Sequence, residues 1–101
     1  MGQSYKVKIY PTAEQDLLDI IDDLNTLSSK AALESYDLLT ERIASLSNMP
    51  ERCARPRDLV LAAKGYRYLI VKKYLVFFIV AEDVVQIHRI LYGSSDYRSI
   101  L

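Results

Sequence analysis

The 101-residue chain has no tryptophan, one cysteine, one histidine, three glycines and three prolines, and each shortage excludes something. Cys53 alone cannot close an internal disulfide, so the fold must be held by packing, as suits a reducing compartment. Cys53 and His88 are too few for a structural zinc set, and the aspartates are strung along one segment instead of converging; no metal and no cofactor is expected. There is no glycine-rich phosphate loop and no G-x-S-x-G elbow. Scarce glycine and proline also leave no linker, which makes residues 1–101 a single domain. Long hydrophobic runs are missing too: the longest, Leu75 to Ala81, falls far short of the roughly 20 residues that span a bilayer. Met1 to Tyr10 holds two lysines and no unbroken apolar stretch, unlike a signal peptide, so a cytoplasmic protein is expected.

Net charge is also absent, with 13 basic residues against 13 acidic, but the charges are segregated. Residues 1–50 carry four basic and eight acidic side chains, residues 51–101 nine basic and five acidic, so the second half awaits an anionic partner.

The secondary structure follows from periodicity. Tyr5, Val7 and Ile9 alternate with Lys6 and Lys8, giving a half-buried strand that Pro11 ends. Thr12 and Gln15 have the spacing of a capping box for a helix with Leu17, Ile20, Ile21, Leu24 and Leu27 on one stripe. Asp16, Asp19, Asp22 and Asp23 lie mostly off that stripe, as a solvated face. Ser28 or Ser29 caps a second helix, whose stripe is Ala32, Tyr36, Leu39, Ile43 and Leu46, and the short link between the helices predicts an antiparallel hairpin. Residues 51–64 read as a loop with a short extended piece at Leu59-Val60-Leu61. From Gly65 to Tyr92 aromatic and β-branched residues predict a three-strand meander, turning at Lys72-Lys73 and Glu82-Asp83. The fold class is α+β, in the order β-α-α-β-β-β, with an antiparallel sheet covered on one face by the hairpin. Because the strands are apolar on both alternation parities, the other face is expected to lack cover.

The chemistry-bearing residues gather on the meander: Arg67, Lys72, Lys73, Tyr74, His88, Arg89 and Tyr92, followed by Tyr97 and Arg98. Such a set can serve metal-free RNA cleavage, which needs a base, an acid and cations beside the phosphate, with tyrosines to stack on bases. Each also has an ordinary use: ion-paired strand arginines, packed tyrosines, a structural histidine. Straight alternation places Val85, Ile87, Arg89 and Leu91 on one face and His88 and Tyr92 on the other. If the face carrying Arg67 is the open one, it also displays Leu69 and Val71, an apolar patch with cationic edges suited to a protein partner.

Taken in succession, several strings resemble the RelE/ParE superfamily of toxins from bacterial type II toxin–antitoxin modules. They are Tyr5 to Leu18, Gly65-Tyr66-Arg67, Tyr74 to Val80, and Arg89-Ile90-Leu91-Tyr92-Gly93 followed by Asp96-Tyr97. The resemblance implies a toxin neutralised by a cognate antitoxin laid over it, with Leu69, Val71 and Leu75 as the antitoxin-binding face. It implies one of two activities: mRNA cleavage on the ribosome, as in RelE-like members, or poisoning of DNA gyrase without nuclease action, as in ParE-like ones. For the first, Arg67, Arg89 and Tyr92 are the candidate catalytic residues of an endoribonuclease (mRNA interferase), with Lys72, Lys73, Tyr74, Tyr97 and Arg98 contacting RNA or a partner. The chain departs from the nuclease pattern at Leu75, where such members commonly place an arginine, and at Tyr92-Gly93-Ser94-Ser95, where many carry histidine. A toxin that keeps only antitoxin binding is the third alternative.

Overall fold

Pro11 decides where the first strand stops and the first helix starts. At the first helical position its missing N–H costs nothing and its fixed φ suits the helix. A computed structural model describes residues 4–101; Met1 to Gln3, the start of the stretch read for a leader, lie outside it. The elements are β1 (Lys6–Ile9), α1 (Pro11–Asn25), α2 (Ser29–Ala44), α3 (Leu59–Ala63), β2 (Tyr66–Val71), β3 (Tyr74–Ala81), β4 (Val84–Tyr92) and α4 (Tyr97–Ile100). The expected β-α-α-β-β-β order is there, with two short helices added.

Starting α1 at Pro11 leaves Thr12 and Gln15 too deep to form the expected capping box. Tyr10 stands at the cap without a side-chain bond. Thr12 Oγ1 instead donates to the His88 carbonyl oxygen at 2.8 Å, and Gln15 Nε2 to Asp19 Oδ1 at 2.9 Å. The second cap forms as read: Ser28 Oγ accepts from the Ala31 N–H. Ala13, Leu17 and Ile20 of α1 and Ala32, Leu39 and Ile43 of α2 are buried, with Leu46 just beyond. Two expected stripe residues are not: Leu27 falls past the end of α1 and is 83% exposed, and Tyr36 is 44% exposed.

The four strands lie in the order β1-β4-β3-β2. Both meander ladders are antiparallel, while β1 runs parallel to β4, adding one parallel ladder to the sheet that sequence pattern described as antiparallel. The two turns fall at Lys72-Lys73 and Glu82-Asp83, where Lys72 and Glu82 take left-handed backbone (φ 54° and 56°). A bulge interrupts β4: Phe77 faces Arg89 and Phe78 faces Ile87, so His88 has no partner opposite it. The bulge corrects the straight alternation expected for this strand, because one extra residue switches the parity. Val85, Ile87 and Ile90 therefore all enter the core beneath the hairpin.

The second face is covered, contrary to expectation. Asp58 caps α3, its carboxylate accepting from the Val60 and Leu61 N–H groups at 3.0 Å, so the segment read as extended is a helical turn. From α3 comes Leu61 and from the C-terminal segment Tyr97 and Leu101, packing against Tyr66, Phe77 and Leu91. Phe77 is fully buried there, a contribution of about 2 kcal/mol or more from one side chain.

Candidate functional site

Arg67 on β2 sits opposite Phe78, a residue of the hairpin-side core, so its strand face is the covered one. Its guanidinium donates to the carbonyl oxygens of Glu51 (3.1 Å) and Cys53 (2.9 Å), tying the loop before α3 to the sheet. The same parity carries Leu69 and Val71 toward the hairpin, with Val71 only 2% exposed, while Leu75 packs in the cluster on the other face. Leu69, Val71 and Leu75 thus do not share an open face, which corrects that grouping; the sheet here is a wall between two cores.

Arg89 is bound by a residue that pattern alone left in solvent. β1 is short, so beyond Ile87 the outer edge of β4 has no strand beside it among the described residues, and α1 runs along it instead. Tyr10 donates its N–H to the Ile87 oxygen and Thr12 its hydroxyl to the His88 oxygen. Asp16 accepts from the Ile90 N–H at 2.9 Å and from Arg89 through a two-pronged pair, Nε at 2.7 Å and a terminal nitrogen at 2.8 Å. Both side chains are largely buried, 28% and 11% exposed. The Asp16 carboxylate holds the Arg89 guanidinium still more firmly protonated than usual.

Tyr92 closes the far end of β4 opposite Tyr74, ring centroids 5.1 Å apart, and Lys73 places its ammonium 5.7 Å from both rings. Tyr74 is buried, and burial, with Tyr92 and Asp23 nearby, pushes its hydroxyl up to about 12. Tyr92 is close enough to act on that hydroxyl electrostatically but outside hydrogen-bonding geometry, so the Tyr74 hydroxyl is unpaired among the described residues. Lys72 and Lys73 are exposed at the turn. Tyr97 is half-buried against Phe77, 5.1 Å between centroids, and Arg98 pairs with Asp58 at 2.6 Å.

His88, on the bulge, is boxed. Its Nδ1 lies 3.1 Å from the Tyr66 hydroxyl, its Nε2 lies 3.3 Å from Gln86 Oε1, and its ring stacks on Tyr10 at 4.7 Å. Burial lowers its pKa. With an N–H given to the glutamine oxygen and a lone pair receiving the tyrosine proton, the neutral ring fits the box.

The candidate catalytic residues are therefore dispersed. Arg67 and Arg89 stand on strands separated by β3, each bound within the fold, and Tyr92 lies at the strand's end among cations and a second tyrosine. Among the described residues no base converges with them: His88 has both nitrogens engaged and Tyr74 is a weak acid. Together, Lys72, Lys73 and Tyr92 form a cationic and aromatic surface suited to binding. Sequence reading missed Asp16, the partner of Arg89, because its neighbours Asp19, Asp22 and Asp23 carry the same signal.

A family model described as the ParE toxin of the type II toxin–antitoxin system parDE matches residues 7–97. No curated protein matches the chain in sequence. Among solved structures, a chain of the chromosomal ParDE toxin–antitoxin system from P. aeruginosa superposes with a TM-score of 0.76 at 23% identity, covering 89% of this chain and 97% of that one. A chain of the RelBE2 toxin–antitoxin complex from Mycobacterium tuberculosis gives a TM-score of 0.59 at 18% identity, covering 91% and 94%.

Proposed function

We infer that this chain, which belongs to the ParE toxin family of type II toxin–antitoxin systems, arrests growth by binding a protein target, DNA gyrase, and not by cutting mRNA, and that its cognate antitoxin neutralises it. The observation that carries this reading is the two-pronged Arg89–Asp16 pair. An arginine that stabilises a developing phosphate charge must offer its N–H groups to the substrate, and Arg89 has spent Nε and a terminal nitrogen on a carboxylate. Arg67 is likewise committed to backbone carbonyls. The family description, naming ParE, points the same way. Tyr92 then serves as an anchoring contact to a protein surface, where tyrosine is among the residues that carry most binding energy, and Lys72 and Lys73 as charged contacts at its rim that favour encounter.

The test is induction of the chain without antitoxin, scored for translation, transcript integrity and DNA damage. Filamentation and a DNA-damage response with intact transcripts is the expected outcome, matched in vitro by loss of gyrase supercoiling. Rapid loss of protein synthesis with cut transcripts would instead establish the ribosome-dependent nuclease, and unimpaired growth with soluble toxin present would leave a chain that retains only antitoxin binding.

A further inference from the structure

We propose that the pocket between α1 and the end of β4 receives an arginine side chain of the protein target, and that Asp19, Asp23 and Tyr92 select it. The partner named here rests on the gyrase reading above; the chemistry of the guest rests on the pocket.

Asp16 bridges α1 to β4 at Ile90, and past that bridge a cavity of about 150 Å³ remains between the two elements, room for the end of one long side chain. Its floor is apolar, with Ile20 and Leu91. Asp19 and Asp23 stand four residues apart on α1, so their carboxylates line the same wall. Asp16 is neutralised by Arg89, while Asp19 accepts only from the uncharged Gln15, and among the described residues no cation pairs with Asp19 or Asp23. Two negative charges are left facing the cavity. Tyr92, 37% exposed, forms the β4 side. Behind them the Tyr74 hydroxyl, on a residue only 4% exposed, is directed toward Asp23 and Tyr92 and finds no partner among the described residues. A buried hydroxyl left unpaired is costly, and a guest that draws Asp23 inward would supply its acceptor.

These features choose among cations. A metal ion is a poor guest, because among the described residues no three carboxylate, imidazole or thiol groups converge to hold one. An ammonium is a compact point charge, whereas a guanidinium is planar, offers five donors in a fixed fork and stacks on aromatic rings. A guanidinium can span Asp19 and Asp23 with its edge, lay its face on Tyr92 and leave its apolar stem on Ile20 and Leu91. Tyr92 also joins the pocket to Lys73, whose ammonium lies 5.7 Å from the same ring. The pocket therefore continues the surface assigned to the target, with the sign of charge reversed across Tyr92. A complementary partner presents an arginine beside acidic groups, and arginine is among the residues that anchor protein interfaces.

The chemistry is tested on the toxin alone, by following its backbone amide resonances during titration with ethylguanidinium chloride. Signals of Asp23, Tyr92 and Ser95 should shift saturably at millimolar concentrations, and sodium chloride at equal ionic strength should leave them in place. Butylammonium should bind about threefold more weakly or worse. The partner is tested by binding of the purified toxin to gyrase. Asp19→Asn combined with Asp23→Asn should weaken that binding by about tenfold. Asp22→Asn combined with Asp37→Asn, the same change of charge at exposed positions outside the pocket, should stay within about twofold of the parent, with far-UV spectra retained throughout. Ethylguanidinium that shifts nothing, or butylammonium that binds as well, overturns the guanidinium site. A pocket variant that binds gyrase no worse than the control overturns its use by the target. Failure of the parent toxin to bind gyrase overturns the gyrase reading, and the partner named here with it, and leaves the titration to judge the pocket.

Discussion

Asp16 gives one carboxylate to three donors, two on Arg89 and the Ile90 N–H, so its removal strands both a mostly buried cation and a buried edge amide. Replacing it with alanine should cost about 2 kcal/mol or more in urea unfolding, since leaving a desolvated partner unpaired costs more than the pair contributes. Asp16→Asn retains an oxygen for Ile90 and should cost roughly half as much. If alanine and asparagine prove equal, the charge on Arg89 is what matters and the edge amide is not. Tyr74 predicts the opposite sign. Its ring fills space beneath the hairpin, but its hydroxyl is buried and unpaired among the described residues. Tyr74→Phe should therefore be neutral or stabilising by up to about 1 kcal/mol, a rare case in which deleting a polar group from a core is favourable. A loss of more than that in the same unfolding measurement would mean that the hydroxyl has a partner in solution.

Among the elements, hydrophobic period and turn chemistry made the two helices, the first strand and the meander legible, including both turns and the Ser28 cap. What stayed hidden depends on contacts distant in sequence. Leu59-Val60-Leu61 has strand-forming residues, and only the carboxylate of Asp58 and the burial of Leu61 under Tyr66 and Phe77 make it a helix. The β4 bulge is invisible because residues 84–92 alternate without interruption and nothing local marks His88 as the extra residue. The candidate face was misgrouped for a related reason: alternation says which residues share a face but not which face the hairpin covers, and the hairpin covers the one that carries Arg67, Leu69 and Val71, while Leu75 lies on the other. The bulge itself is pinned by the His88 box, which joins β2 through Tyr66 and the end of β1 through Tyr10. Lys8, whose ammonium lies 5.6 Å from the Tyr10 ring, adds a cation on that side and no counter-charge. Burial holds the folded pKa of His88 below its ordinary 6.5. The unfolded chain thus takes up the proton first as pH falls, and the stabilisation present above about pH 6.5 is lost as pH drops toward the folded value. Urea midpoints should decline between pH 7.5 and 5, and His88→Gln should flatten that decline. An unchanged slope in the variant would assign the dependence to other groups. Asp58 belongs to a separate, lower window: held down by Arg98 and two backbone N–H groups, it titrates below its ordinary 3.8.

Across the whole molecule the net charge is zero, yet association is governed by where the charges stand. The acidic side chains of α1 and α2 lie on one side of the chain's charge division, and the cations of residues 51–101 on the other, where Arg89 and Arg98 alone have carboxylate partners among the described residues. Arg52, Arg55, Arg57, Lys64, Lys72 and Lys73 are exposed and accept no such neutralisation there. If the antitoxin presents an acidic segment, these exposed cations would attract it before contact, and such a field acts on the rate of encounter more than on the lifetime of the complex. Raising salt from 50 to 500 mM shortens the screening length from about 14 Å to about 4 Å, so the association rate constant should fall by about tenfold or more while dissociation changes little. Stopped-flow mixing of toxin and antitoxin at the two ionic strengths reads both constants. Charge-neutral replacement of Lys72 and Lys73, both at the exposed turn, should remove part of the salt dependence without altering the fold. A rate indifferent to salt would mean that the segregated charge plays no part in capture.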